Sequence, residues 1–227
     1  GLASMAEELM FYRMAYGLVP RQNIQLSNLT TGTFATRRVT AFNAYANPNY
    51  GRLRPFLNRP DTSGAFRSGT SLAARGVTWA FLRYAVDRRV TEGGVTDASI
   101  LQTLAGGQPY VGKENLRRAL GLASTDELDQ WYRDFLVAMY TDDAVAGVAA
   151  RYTQPSWNFR SVFGGLGGFP LGVRPLTNAF SLTLTYAHGG GTAYQRFGVA
   201  QGGFATFTAN RAGGDPAPMR FSLVRTK

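Results

Sequence analysis

The chain has 227 residues, no cysteine, a hydrophobic fraction of 44% and a formal net charge of +10. The absence of thiols excludes disulfides, thiolate metal sites and cysteine nucleophiles. No apolar run reaches the length of about 18 residues that a transmembrane helix needs. The length is sufficient for one large or two modest domains with cores of their own.

The positive charge comes almost entirely from arginine, because only Lys113 and Lys227 are lysines. The arginines are scattered along the chain rather than clustered, so a nucleic-acid partner is not expected. A basic surface of this kind favours acidic proteins or lipid headgroups as partners.

Residues 1–17 predict a first helix, which ends at Gly17. Its buried face is expected to consist of apolar side chains: Leu2, Met5, Ala6, Leu9 and Met14. Glu7 and Glu8 are then expected on the solvent side of this helix. Residues 33–45 predict a second helix, which Pro48 ends or kinks, and residues 47–59 predict a loop rich in proline and arginine.

The longest helical pattern lies in residues 69–89 (GTSLAARGVTWAFLRYAVDRR). Apolar side chains occupy most of the circumference, and a narrow polar stripe runs through Ser71, Arg75 and Thr78. Because a helix that is apolar on nearly all sides lies inside a protein, this segment is predicted to be the central core helix.

Further helices are predicted after the central one, in residues 93–107, 113–120 and 124–140. The last of these begins with Ser124 or Thr125 as its cap. Its apolar residues repeat at helical spacing and predict a packed core face: Leu128, Trp131, Tyr132, Phe135 and Met139.

The composition changes beyond residue 145. Residues 146–178 are rich in glycine, proline and aromatic residues and predict a linker. Polar and apolar residues then alternate in four stretches separated by turn residues: 179–187, 192–200, 203–210 and 218–226. The predicted fold class is therefore α+β, with an N-terminal helical domain (1–145) followed by a small antiparallel β-domain (179–227), a meander or half-sandwich.

Few residues suggest catalytic chemistry. His188 is the only histidine and precedes a glycine run in a predicted hairpin turn, so it does not make a zinc site by itself. No G-x-S-x-G or phosphate-binding glycine pattern occurs. The paired carboxylates Glu7/Glu8 and Asp142/Asp143 are adjacent in sequence and diverge on a helix. We therefore expect no catalytic residue, no metal ligand and no cofactor.

Three parts of the chain resemble a known family. Residues 1–13 (GLASMAEELMFYR) resemble the stretch that follows the zinc-binding helix in bacterial secreted metallopeptidases of the His-Glu-x-x-His class, where a glutamate supplies the third ligand. Residues 75–88 resemble a core helix of those proteins, and the predicted β-rich tail is similar to their C-terminal accessory domains. The resemblance implies shared ancestry, places the metal-binding helix upstream of Gly1, and gives Glu7 and Glu8 no catalytic role.

These observations favour a non-catalytic accessory subunit of a larger bacterial, membrane-bound complex, with a photosynthetic reaction-centre and antenna assembly as the first partner to test. The expected location is periplasmic or extracellular, at the periphery of a membrane. The expected partners are other protein subunits and membrane headgroups. Two alternatives stay open: the processed C-terminal part of a secreted zinc metallopeptidase, and a carbohydrate-binding β-module that uses Tyr186, Tyr194 and Phe197.

Arginine and aromatic residues anchor many protein interfaces. The candidate docking residues lie in the predicted Pro/Arg loop and in the aromatic linker: Pro48, Tyr50, Arg52, Arg54, Phe56, Arg59, Tyr152, Trp157, Phe159, Arg160, Phe163 and Phe169.

Overall fold

A computed structural model describes residues 1–66, 71–106, 109–176, 190–204, 206 and 220–226. Helices make up 55% of these residues. In chain order the helical elements are α1 (Leu2–Met14), α2 (Leu26–Thr30), α3 (Ala35–Ala41), a π-helical turn (Phe42–Ala46), α4 (Asn47–Asn58), α5 (Leu72–Gly93), α6 (Asp97–Ala105), α7 (Gly112–Ala119), α8 (Thr125–Thr141), a 3-10 turn (Ala150–Tyr152) and α9 (Phe159–Gly164). Within the described ranges, no helix combines the length and the apolarity that crossing a membrane requires.

Helix α5 forms the centre of the molecule and contacts α1, α4, α6 and α8. The hydroxyl of Ser71 accepts a hydrogen bond from the Ala74 N–H (3.1 Å) and begins the helix, and Gly94 ends it in the left-handed region (φ +64°). Large side chains are buried around nearly the whole circumference: Val77, Trp79, Phe81, Leu82, Tyr84 and Val86. The prediction of a central core helix is confirmed.

Helix α8 supplies a second large part of the core. Its N-cap is Ser124, whose hydroxyl accepts a hydrogen bond from the Glu127 N–H (3.2 Å). The Phe81 ring of α5 lies 4.9 Å from the Tyr132 ring and 5.4 Å from the Phe135 ring, centroid to centroid. The predicted core face of this helix is therefore confirmed.

The chain between α3 and α4 bends through the π-helical turn without leaving helical geometry. Pro48 is the second residue of α4 and directly follows the wider π-helical turn, so the helix continues through it. The predicted loop over residues 47–59 is therefore wrong, because Asn47–Asn58 is a helix. Its buried residues follow helical spacing despite the two prolines: Tyr50, Leu53, Phe56 and Leu57.

Part of the predicted linker packs into the core. The N–H of Ile24 donates to the carbonyl of Ser156 (2.9 Å), which ties this segment to the connector after α1. Trp157, Phe159 and Phe163 follow and are all buried. Aromatic residues without helical period therefore mark a core segment here, because backbone pairing and the short helix α9 direct them inward.

The predicted antiparallel β-domain is not observed, and the α+β fold class is wrong. In the described part of the chain the strands are β1 (Val173–Pro175) and β2 (Tyr194–Arg196), which pair in parallel. The stretch 179–187 and most of 203–210 lie outside the described residues, and residues 220–226 form no strand. The described part of the chain is mostly helical.

The alternating residues around Tyr194 do not form the predicted antiparallel sheet because they pack against a helix. A stable antiparallel sheet needs several strands that share an apolar face. Tyr194 instead packs its ring beside Tyr140 of α8 (6.1 Å between centroids), and its hydroxyl donates to the Leu136 carbonyl (2.6 Å). Packing on a helix thus replaces the cross-strand contacts that the alternation predicted.

Candidate functional site

The predicted docking residues separate into three groups. Five aromatic members are buried and present no area to a partner, so they are corrected to core residues: Tyr50, Phe56, Trp157, Phe159 and Phe163. Composition alone did not separate them from interface anchors, because large aromatic side chains serve both roles.

Three arginines of the predicted set are half-buried and engaged within the molecule. Arg52 forms an ion pair with Glu7 of α1. Arg54 donates to the Leu166 carbonyl (2.6 Å), and Arg160 donates to the Tyr140 carbonyl (2.5 Å). The remaining members are exposed (Pro48, Arg59) or half-buried (Tyr152, Phe169).

The acidic pair Asp142 and Asp143 lies at an open cleft of about 670 Å³ just past α8. Asp142 accepts a hydrogen bond from the Gln154 N–H (2.9 Å), and the Asn23 side-chain amide donates to Asp143 (3.4 Å). Burial raises the pKa of Asp142 to about 7. In the described residues, no group of three or more His, Cys, Asp or Glu side chains could hold a metal ion.

A cluster of five charged side chains joins α1, α5, α6 and the connector after α1, and we call it the buried charge cluster: Glu8, Arg21, Arg83, Asp87 and Asp97. Arg83 binds Asp87 (2.8 Å) and Asp97, and its Nη1 lies 3.9 Å from Glu8 Oε2. Arg21 reaches the same two aspartates from the connector, at 3.1 Å and 2.8 Å. Glu8, Arg83 and Asp87 are at most 2% exposed.

Neutral hydrogen-bond donors complete the surroundings of this cluster. The Trp157 indole N–H donates to Glu8 Oε1, and the Ser156 hydroxyl donates to Asp87 (2.5 Å). The second carboxylate oxygen of Glu8 makes no hydrogen bond in the described structure. The buried charge cluster therefore connects α1 to Ser156 and Trp157. One oxygen of its Glu8 carboxylate is buried without a hydrogen bond.

Burial raises the pKa of Glu8 to about 7, although Arg83 and the Trp157 N–H oppose the shift. The folded state therefore prefers protonated Glu8, and this contribution to stability is complete below the ordinary pKa near 4.5 and is lost as the pH rises through 7. We expect the free energy of unfolding to fall by about 3 kcal/mol between pH 4.5 and 8 on account of Glu8, at about 1.4 kcal/mol per pKa unit.

Urea denaturation at a series of pH values measures this effect. Glu8→Gln should flatten the pH dependence but not abolish it, because the raised pKa values of Asp87 and Asp142 act in the same direction. Glu92→Gln, at a carboxylate with a side chain 48% exposed, is the matched control and should change the profile less than Glu8→Gln does. An unchanged profile in Glu8→Gln would contradict this account.

The solvent side of α1 is apolar, and this is the feature that sequence analysis missed. Glu8 points inward, and of the five side chains predicted for the buried face only Met5 is buried, whereas Leu2, Ala6, Leu9 and Met14 are exposed. The predicted orientation of the helix is therefore wrong. The outward residues, which we call the α1 outer face, are Leu2, Ala3, Ala6, Leu9, Met10, Arg13 and Met14. Its four large apolar members have exposed fractions between 39% and 42%. The signal was present as apolar residues all around α1, which left the two carboxylates as the only guide to its orientation.

Beyond α1 the apolar surface continues onto two aromatic residues, Tyr16 just after α1 and Phe34 just before α3. The rings of Tyr16 and Phe34 lie 4.2 Å apart and are 53% and 39% exposed. Arg37 lies over the Tyr16 ring and Arg38 over the Phe34 ring, at 5.7 Å and 5.8 Å. Apolar surface and arginine guanidinium groups therefore adjoin at this end of α1.

Comparisons with known proteins identify no family for this chain: no family model, no curated protein and no solved structure matches it. The resemblance of residues 1–13 to metallopeptidases therefore stays a prediction. Functional conclusions accordingly come from the geometry of the molecule itself.

Proposed function

We propose that this chain is an accessory docking subunit that binds a protein partner through the α1 outer face. The observation that carries the proposal is the orientation of α1, which buries the Glu8 carboxylate and turns Leu2, Leu9, Met10 and Met14 to the surface. A partner that covers these side chains removes apolar area from water, at about 25 cal/mol for each Å².

Three contacts support this proposal, because they hold the α1 outer face in one orientation in the absence of a partner. Glu8 receives the Trp157 N–H inside the core, and Glu7 is paired with Arg52 of α4. Gly1 approaches α5 so closely that an added Cβ would lie 2.7 Å from Thr78 and Leu82 side-chain atoms. A preorganised face loses little conformational entropy on binding.

Site-specific photocrosslinking in the cells that make the chain tests the proposal. A photoreactive residue in place of Met10 should give a discrete crosslinked product with a protein partner. The same residue in place of Val111, which is 83% exposed but lies at the start of α7, is the matched control and should give none.

The captured protein also decides between the functions that the sequence left open. A partner that is a separate subunit supports the accessory role. A captured segment that carries His-Glu-x-x-His would instead make this chain the C-terminal part of a metallopeptidase. The absence of any Met10 product would show that the α1 outer face is not a docking surface.

A further inference from the structure

We infer that the partner segment on the α1 outer face is an acidic amphipathic helix; this inference rests on the docking function proposed above. The first observation is the charge of the chain around that face. Residues 9–60 contain seven arginines and no aspartate or glutamate. Residues 9–60 therefore carry a formal charge of +7, out of +10 for the whole chain.

Four of these arginines are engaged inside the molecule. Arg21, Arg52 and Arg59 form ion pairs with carboxylates, and Arg54 donates to a backbone carbonyl and lies over the Phe163 ring at 5.1 Å. Carboxylates match the charge of the first three, whereas Arg54 has no carboxylate partner but lies against Phe163 of α9 rather than against residues of α1. The other three are left to define the charge beside the α1 outer face.

Arg13, Arg37 and Arg38 form no ion pair with a carboxylate in the described residues. Arg13 projects from the α1 outer face itself. Arg37 donates to the Met14 carbonyl (2.8 Å), and Arg38 donates to the carbonyls of Tyr16 and Asn28. Neutral carbonyls fix the position of these guanidinium groups but do not neutralise their charge, so carboxylates from a partner would meet preorganised cations.

The shape of the face favours a helix as the contacting element. The α1 outer face is a single strip along a 13-residue helix, about 20 Å long at about 1.5 Å per residue. A helix with apolar residues at intervals of three and four covers such a strip by ridge-into-groove packing. Glutamates on its flanks would lie near the three arginines at the Met14 end.

The charge of the α1 outer face argues against a second copy of this chain as its partner, and the limited exposure of its apolar side chains argues against a lipid bilayer. A second copy of this chain would bring three uncompensated arginines against three more, which is repulsive. A bilayer is best bound by apolar side chains that project past the protein surface, whereas the large apolar side chains of α1 are only about 40% exposed. The α1 outer face therefore fits a folded protein segment of complementary shape and opposite charge.

Binding of three probes to the full chain tests the inference by fluorescence anisotropy and vesicle sedimentation. The probes are a peptide of about 14 residues with leucines at helical spacing and glutamates elsewhere, its twin with lysine in place of glutamate, and phosphatidylcholine vesicles that contain phosphatidylglycerol. We expect the glutamate peptide to bind at least about tenfold more tightly than the lysine peptide, and binding to weaken with salt.

Two sets of variants locate the site. Leu9→Glu and Met10→Glu should abolish binding of the glutamate peptide, whereas Val111→Glu should not. Arg13→Glu with Arg37→Glu should reverse the preference toward the lysine peptide, whereas Arg151→Glu, at an exposed arginine outside this surface, should leave it unchanged.

Equal binding of both peptides, or binding of the vesicles alone, would overturn the inference. Its failure is distinguishable from failure of the proposed function. A Met10 crosslink to a partner segment that is not acidic would leave the docking role in place and reject only the acidic helix.

Discussion

Gly76→Ala is expected to destabilise the protein by about 3 kcal/mol or more, at the upper end of the range for overpacked cores. A Cβ at this position of α5 would lie 2.3 Å from backbone atoms of Arg52 and Leu53 in α4. Backbone atoms inside a helix cannot move aside as a flexible side chain can, so the two helices would have to separate. The whole face between α4 and α5 depends on this close approach.

Gly51→Ala is the matched control in the facing helix. An added Cβ there meets nothing within 4 Å, and the residue is exposed. Alanine should therefore stabilise α4 by about 0.5–1 kcal/mol, because it lowers the entropy cost of the helix. Thermal and urea denaturation of both variants measure the contrast, and a Gly76→Ala protein as stable as the parent would show that α4 and α5 do not pack this closely.

The sequence predicted the elements whose signals are local. The start of α8 followed from Ser124 as its cap, and the burial of α5 followed from apolar residues around its whole circumference. Both signals act within one helix, so they do not depend on what packs against it. The helix that contains Pro48 and Pro55 was missed because proline usually breaks helices, whereas here the π-helical turn lies directly before Pro48 and the helix also continues through Pro55.

The candidate site was missed because its signal is not local. The orientation of α1 is decided by Arg83 and Trp157, which are far away in sequence and together receive the Glu8 carboxylate. Without these partners a glutamate belongs on the solvent side of a helix, which is where the sequence placed it. The error placed Glu8 on the solvent side and most of the exposed apolar residues of α1 in the core, and so concealed the α1 outer face.

Arg83→Met is expected to cost about 3–5 kcal/mol, because it removes the cation of the buried charge cluster and leaves buried carboxylates with only Arg21. Arg118→Met is the matched control, since Arg118 forms an i,i+4 pair with Glu114 on an exposed surface, and its loss should cost far less than the loss of Arg83. Adding Asp87→Asn to Arg83→Met should recover part of the loss, because it removes one of the carboxylates left unpaired. Urea denaturation of the single and double variants measures this coupling. If the two losses simply add, the cost comes from packing around the arginine stem and not from charge, and the electrostatic account of how α1 is held in its orientation fails.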